Sequence, residues 1–160
     1  KLEIKDVKIA NSGEIALTGA RYQGVTSSGQ PFLITADQAS EANDGSGRID
    51  MQQPRATITM KNGQIINLQS NYGVFDQPDD VVDMAGDVVV TQPEKNLKLE
   101  SDALFADLKL GEMRSVVPVT LTDDAHRIDA ETMTVFDNGD RIVFGGTSRM
   151  VMQTMSKPSN

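Results

Sequence analysis

At 160 residues the chain has length for one domain and not comfortably two. Its formal net charge of −8 argues against a nucleic-acid partner and against simple adsorption to an anionic membrane, and the lack of cysteine excludes disulfides, thiolate metal sites and Cys nucleophiles. Only 4% of residues are aromatic while 38% are hydrophobic, which fits an elongated, aliphatic-lined interior better than a compact core built on rings.

The chain alternates from its first residues, Lys1-Leu2-Glu3-Ile4. This opening reads as a mature or truncated piece from which a targeting or anchoring segment has been removed; there is no signal peptide and no run of about eighteen apolar residues. Helical periodicity is weak, and period-two alternation with β-branched residues dominates. Turns are expected at Ser27-Ser28-Gly29-Gln30 and Asn43-Asp44-Gly45-Ser46-Gly47, and the Asn-Gly pairs of Lys61-Asn62-Gly63-Gln64 and Asp137-Asn138-Gly139-Asp140 signal hairpins. Strands are expected at Thr57–Met60, Val88–Val90, Val116–Leu121 and Ile142–Phe144. One domain is expected over 1–155, with a flexible tail over 156–160.

One pattern recurs about every thirty residues: Ile34-Thr35-Ala36-Asp37, Leu68-Gln69-Ser70-Asn71, Leu99-Glu100-Ser101-Asp102 and Ile128-Asp129-Ala130-Glu131. Each is an aliphatic residue, a polar one, a small one, then a carboxylate or its amide. Nineteen or twenty residues after each aliphatic comes Pro54, Asp87, Pro118 or Thr147, expected to open a short strand. Such a period implies stacking of one supersecondary unit. Strand parity changes across the pattern. Leu97, Leu99 and Ser101 share a face, but beyond Asp102 the apolar face moves to Leu104, Ala106 and Leu108. Leu68 and Ser70 give way likewise to Gly73 and Phe75, and Ile128 and Ala130 to Met133 and Val135. A one-residue switch on a period-two strand requires a bulge or corner. Asp37, Asn71, Asp102 and Glu131 are therefore expected to mark creases where one sheet folds into two leaves. The alternative is that they occupy ordinary tight turns between separate strands. The two outermost strands of a folded sheet are open edges, able to dock another strand or a second copy of the chain.

The residues of chemistry are sparse. His126 is the single histidine and sits in a polar turn, Asp123-Asp124-Ala125-His126-Arg127, with no nucleophile elbow in the chain. The carboxylate pairs Asp79-Asp80, Asp123-Asp124 and Asp137 with Asp140 lack the spacing of known Ca²⁺ loops and read as turn formers. Gly145-Gly146 does not precede a helix and makes no phosphate cradle. The expectation is no enzyme, no cofactor and no metal. The eight methionines either fill the core in place of rings or face a surface that accepts varied apolar shapes.

Phe75-Asp76, Met84-Ala85-Gly86-Asp87-Val88-Val89-Val90, Leu99-Glu100-Ser101-Asp102-Ala103-Leu104 and Ser115-Val116-Val117-Pro118-Val119 together resemble the repeat units of OstA-type lipopolysaccharide-transport proteins. The opening stretch, Ala20-Arg21-Tyr22-Gln23-Gly24 through Gly29-Gln30-Pro31-Phe32-Leu33-Ile34-Thr35-Ala36, resembles the LptC-like branch of alphaproteobacterial type. The resemblance spans roughly 19–152. It implies an all-β, twisted, open β-jelly roll of about 15 antiparallel strands that takes lipopolysaccharide acyl chains in its groove. It also implies a periplasmic location, with an N-terminal helix in the inner membrane. The expected partners are the LptB, LptF and LptG transporter, from which lipid is accepted, and the LptA bridge, to which it is passed by edge-to-edge strand pairing. A soluble LptA-like bridge protein, a structural β-solenoid or adhesin, and a hydrolase on a β-helix are the alternatives.

Strand parity selects the expected lining: Ile34, Ile58, Met60, Leu68, Phe75, Met84, Val88, Val90, Leu99, Leu104, Val119, Leu121, Ile128, Met133, Val135, Phe144, Met150 and Met152. A charge at Val119 is expected to block lipid capture without unfolding the sheet. For docking, the resemblance and the need for two free ends point to Ile15, Leu17 and Tyr22 on the transporter side and to Ile142, Val143 and Val151 on the bridge side. The acidic balance leaves lipid phosphates outside the groove.

Overall fold

In a computed structural model the described residues are 2–3, 6–9 and 15–152, with side chains from residue 19 onward. The positions expected as a tail, 156–160, lie outside them. Fourteen strands form one antiparallel sheet. They are β1 (Leu2–Glu3), β2 (Asp6–Ile9), β3 (Ile15–Val25), β4 (Pro31–Glu41), β5 (Arg48–Gln52), β6 (Arg55–Thr59), β7 (Ile65–Gln69), β8 (Tyr72–Asp76), β9 (Val81–Gln92), β10 (Leu97–Asp107), β11 (Glu112–Ser115), β12 (Val119–Thr122), β13 (His126–Phe136) and β14 (Arg141–Met152). Among the described residues only two single-turn 3₁₀ segments interrupt the strands, at Pro93–Lys95 and Asp137–Gly139.

The long strands cross a crease, and each half pairs with a different short strand. The first half of β4 pairs with β6 and the second with β5, the change falling at Ala36 and Asp37. β9 meets β8 with its first half and β7 with its second. β10 meets β12 and then β11, with a register shift between Ser101 and Ala103. β13 shifts against β14 between Ala130 and Thr132. Asp102 and Glu131 are therefore the single residues that face a bulge of two on the neighbouring strand, Gly86 and Asp87 on β9 and Gly146 and Thr147 on β14, and Asn71 sits in the corner between β7 and β8. The first leaf holds the later halves of β3, β9 and β14, the earlier halves of β4, β10 and β13, and β6, β7 and β12. The second leaf holds the complementary halves with β5, β8 and β11.

The crease needs two kinds of residue. A polar residue occupies the extended member of each row, and a left-handed residue lies on the neighbouring strand. Gly86 (φ +80°) and Asp87 (φ +46°) lie opposite Asp102, and Gly146 (φ +68°) opposite Glu131. Only glycine takes this conformation without a steric cost from Cβ. Pro54 and Pro118 do precede the short strands β6 and β12, but Asp87 and Thr147 sit inside long strands, at their corners. The expected strand Val116–Leu121 is likewise broken: Val116 to Pro118 turn the corner, and Val116 is left 81% exposed.

The small residue of each repeat points inward at the fold, and Ala36, Ser70, Ser101 and Ala130 are all buried. Larger side chains there would hold the leaves apart. Serine adds a second role, because the corner frees carbonyls from the ladder. The Ser101 hydroxyl lies 3.1 Å from that of Ser115 and 3.0 Å from the Pro118 carbonyl, and the Ser115 hydroxyl lies 2.9 Å from the carbonyls of Ala103 and Val117. Buried carbonyls left without partners would oppose folding at this corner.

Candidate functional site

The inner faces of the two leaves form one apolar interior. Of the expected lining, Ile34, Ile58, Leu68, Phe75, Met84, Val88, Val90, Leu99, Leu104, Val119, Leu121, Met133 and Val135 are buried there, and Met60, Ile128 and Phe144 pack against them partly exposed. Sequence parity passed over Phe32, Ile49, Met51, Ile66, Val82, Leu108 and Met113, which are equally buried. The switch at each crease, followed through the short partner strands, would have found them.

This interior is closely filled by its own side chains. Between the leaves the clearest opening is a cleft of about 40 Å³, bounded by Ile66, Leu99, Met113, Met133 and Ile142, little more than one water molecule's share of the liquid. A larger hollow, about 770 Å³, lies instead on the outer face of the second leaf, beside Gln52, Tyr72 and Asp83. It is a concavity of the twisted sheet, and of the expected lining only Met84 borders it.

The expectation for Val119 is corrected by its burial. At 2% exposure a charge there has no water and no partner, so it disrupts the fold itself.

The apolar face does reach solvent at the far end. Met150 and Met152 stand opposite Ile128 and His126 on β13. Met150 shares a face with Ile128, which belongs to the interior, yet Met150 is 61% and Met152 72% exposed. Among the described residues the second leaf contributes no strand beyond the first half of β14, and none of them covers this lip. Among the described residues β14 pairs only with β13 and stands at an edge of the sheet. On it Ile142 is partly buried, whereas Val143 and Val151 point outward and are exposed.

The opposite edge differs from expectation. β3 is not free: β1 pairs with its later half and β2 with its earlier half. The side chains of Ile15 and Leu17 lie outside the described residues. Tyr22 is turned toward the core, its ring 4.7 Å from that of Phe75 and edge-on to it. Its hydroxyl donates to Asp80 Oδ1 at 3.2 Å. Burial first, and then the Asp80 carboxylate, raise the Tyr22 pKa.

Catalytic geometry is absent among the described residues. His126 Nδ1 lies 3.1 Å from Asp123 Oδ1 in the β12–β13 turn. The Asp123 carboxylate is held below its ordinary pKa, chiefly by the Ala125 backbone N–H and then by the N–H and side chain of His126. No group of three or more metal-ligating side chains gathers among the described residues.

Residues 3–151 match the family model described as lipopolysaccharide-assembly, LptC-related. The chain belongs to the LptC family. No curated protein gives a significant match. The LptC family serves transport and binding, not catalysis, and its setting is lipopolysaccharide assembly at the inner membrane and periplasm. Among the described residues no helix is long and apolar enough to cross a membrane.

Proposed function

We propose that this LptC-family domain holds the acyl chains of lipopolysaccharide against its inner face and passes them off at the β14 end. The carrying observation is the apolar face that runs out from under the second leaf as Ile128, Met150 and Met152. A soluble monomer gains nothing by leaving two methionines on a free edge strand; a lipid conduit gains a contact for hydrocarbon and a strand for the next sheet. In this reading the domain accepts lipid from the LptB, LptF and LptG transporter, is tethered by an N-terminal helix, and docks LptA on β14. The transporter side falls on β1 and β2, because β3 is already paired on both sides.

Each methylene taken out of water contributes about 0.8 kcal/mol, so a dozen-carbon chain gains at most on the order of 10 kcal/mol before ordering costs and the displacement of side chains already buried are counted. The net charge of −8 favours leaving lipid phosphates in solvent.

A photo-crosslinking residue at Met150, in cells making lipopolysaccharide, should capture lipid. The same residue at Val143 or Val151, on the other face of the same strand, should capture the bridge protein instead. Failure of Met150 to capture lipid, with the domain folded and its partners present, would overturn the groove reading.

A further inference from the structure

The margin of the first leaf is tied to that of the second by a polar seam. The β3–β4 turn belongs to the first leaf. In it Thr26 and Gln30 are buried, the Gln30 N–H donates to Thr26 Oγ1 at 3.0 Å, and the Thr26 N–H donates to the Gln30 carbonyl at 2.8 Å. From this turn the Ser27 N–H and hydroxyl both reach the Lys109 carbonyl, at 2.9 and 2.6 Å, in the β10–β11 turn of the second leaf. Beside it the Asn138 amide, in the β13–β14 turn, donates to Gln30 Oε1. Asn138 is 7% exposed and its own N–H is held by the Gly111 carbonyl at 2.9 Å. Tyr22 and Asp80 add a further bond between the two leaves.

Resting on the groove reading, we propose that the Gln30–Asn138 and Ser27–Lys109 contacts are a latch across the mouth of the groove, which must part before an acyl chain can pass beneath it. Two observations carry this. The interior is too full to admit a hydrocarbon chain while the leaves stay where they are. The seam is also built from groups that water can satisfy. An apolar seam would resist parting in proportion to the surface it exposes. Amides and carbonyls exchange protein partners for water at small net cost, so the latch opens reversibly and a chain sliding in replaces the lost contacts. The lip at Met150 and Met152 lies outside the latch and takes a guest with the latch shut.

The chain reports on this itself. It contains no cysteine and eight methionines, among them Met113 and Met133 in the interior and Met150 and Met152 at the lip. The test is a Ser27→Cys/Lys109→Cys variant, at two residues joined by a backbone hydrogen bond of 2.9 Å, with disulfide formation confirmed by mass before labelling. Photo-methionine labelling with purified lipopolysaccharide is then mapped by peptide. With the disulfide reduced, interior and lip methionines should both crosslink. Oxidised, Met113 and Met133 should lose at least tenfold while Met150 keeps its yield, and reductant should restore them. Equal interior labelling in the locked and unlocked forms overturns the latch and leaves the groove standing. No labelling at either place in the reduced form overturns both. As a second variant, Asn138→Gly removes the amide while permitting the left-handed backbone of Asn138 (φ +54°). It should raise the rate of interior labelling several-fold; an unchanged rate overturns the latch.

Discussion

The crease can be tested by setting one glycine against another. Gly86 and Gly63 have nearly the same backbone, φ +80° and +83°. A Cβ on Gly63, in the β6–β7 hairpin, meets nothing within 4 Å, whereas one on Gly86 meets Asn71 Cβ and Nδ2, each at 3.1 Å. Gly63→Ala therefore carries only the left-handed strain, about 1–2 kcal/mol. Gly86→Ala carries the same strain and adds overpacking. Asn71 cannot swing aside freely, because its N–H donates to the Gly86 carbonyl at 2.9 Å and its amide to Asp87 Oδ2 at 3.3 Å. Overpacking of this kind costs about 1–3 kcal/mol. With a urea slope of about 2 kcal/mol per molar, the midpoints of the two variants should differ by about 1 M, Gly86→Ala unfolding first. Coincident midpoints would show that the corner has room, and that close packing of the leaves at the spine is not what demands glycine.

Three further outcomes follow from the same geometry. Ser115→Ala removes the one hydroxyl proton shared between the carbonyls of Ala103 and Val117, of which only Ala103 keeps a second donor in Ser101, and should lower stability by about 1–3 kcal/mol; a thermal midpoint equal to wild type would mean the hydroxyl is dispensable. The raised Tyr22 pKa stabilises the fold at all pH below the unfolded value, near 10, and that contribution is lost as pH climbs through the folded value. Alkaline unfolding should therefore be steeper in wild type than in Tyr22→Phe, and parallel curves above pH 10 would refute the burial argument. Val119→Asp should unfold the domain, since an unpaired buried carboxylate costs several kcal/mol; a folded variant by circular dichroism would mean the interior is wetter than its packing indicates.

Much of this architecture was legible because a folded sheet breaks period-two parity at each fold. Leu99 and Ser101 against Leu104 and Ala106 are enough to place Asp102 in a corner, and the structure puts it there. The partner half of each corner was harder to see. Gly86 and Gly146 are ordinary in a glycine-containing β sequence until the strand opposite is known, so the left-handed residues were missed while the polar ones were found. Val116-Val117-Pro118 read as strand because β-branched residues favour extended backbone, but the corner overrides that preference. The pairing of β3, expected as an open edge, has a different origin. Pairing of β1 and β2 with β3 is a tertiary fact, and nothing in the alternation of Ile15 to Tyr22 distinguishes an edge strand from a covered one. Likewise parity tells which face Met150 occupies, not whether a second leaf lies over it.

That last distinction governs how such a domain moves lipid without trapping it. A chain that enters the filled interior mainly exchanges one set of apolar contacts for another, because the side chains it displaces were already out of water; its net gain per methylene falls well below the transfer value. At the lip the exchange is different, since Met150 and Met152 are hydrated before the guest arrives and dry afterwards. The uncompensated gain is therefore concentrated at the β14 end, on the same strand whose free edge is available to the next sheet. A guest drawn there by hydration alone would stall. A second sheet paired on β14 would extend the apolar face past Met152, leaving the guest no hydrated boundary at which to stop. If the proposed function holds, docking and handover are one event, and a variant that cannot pair along β14 should hold lipid at the lip longer even though its groove is unchanged.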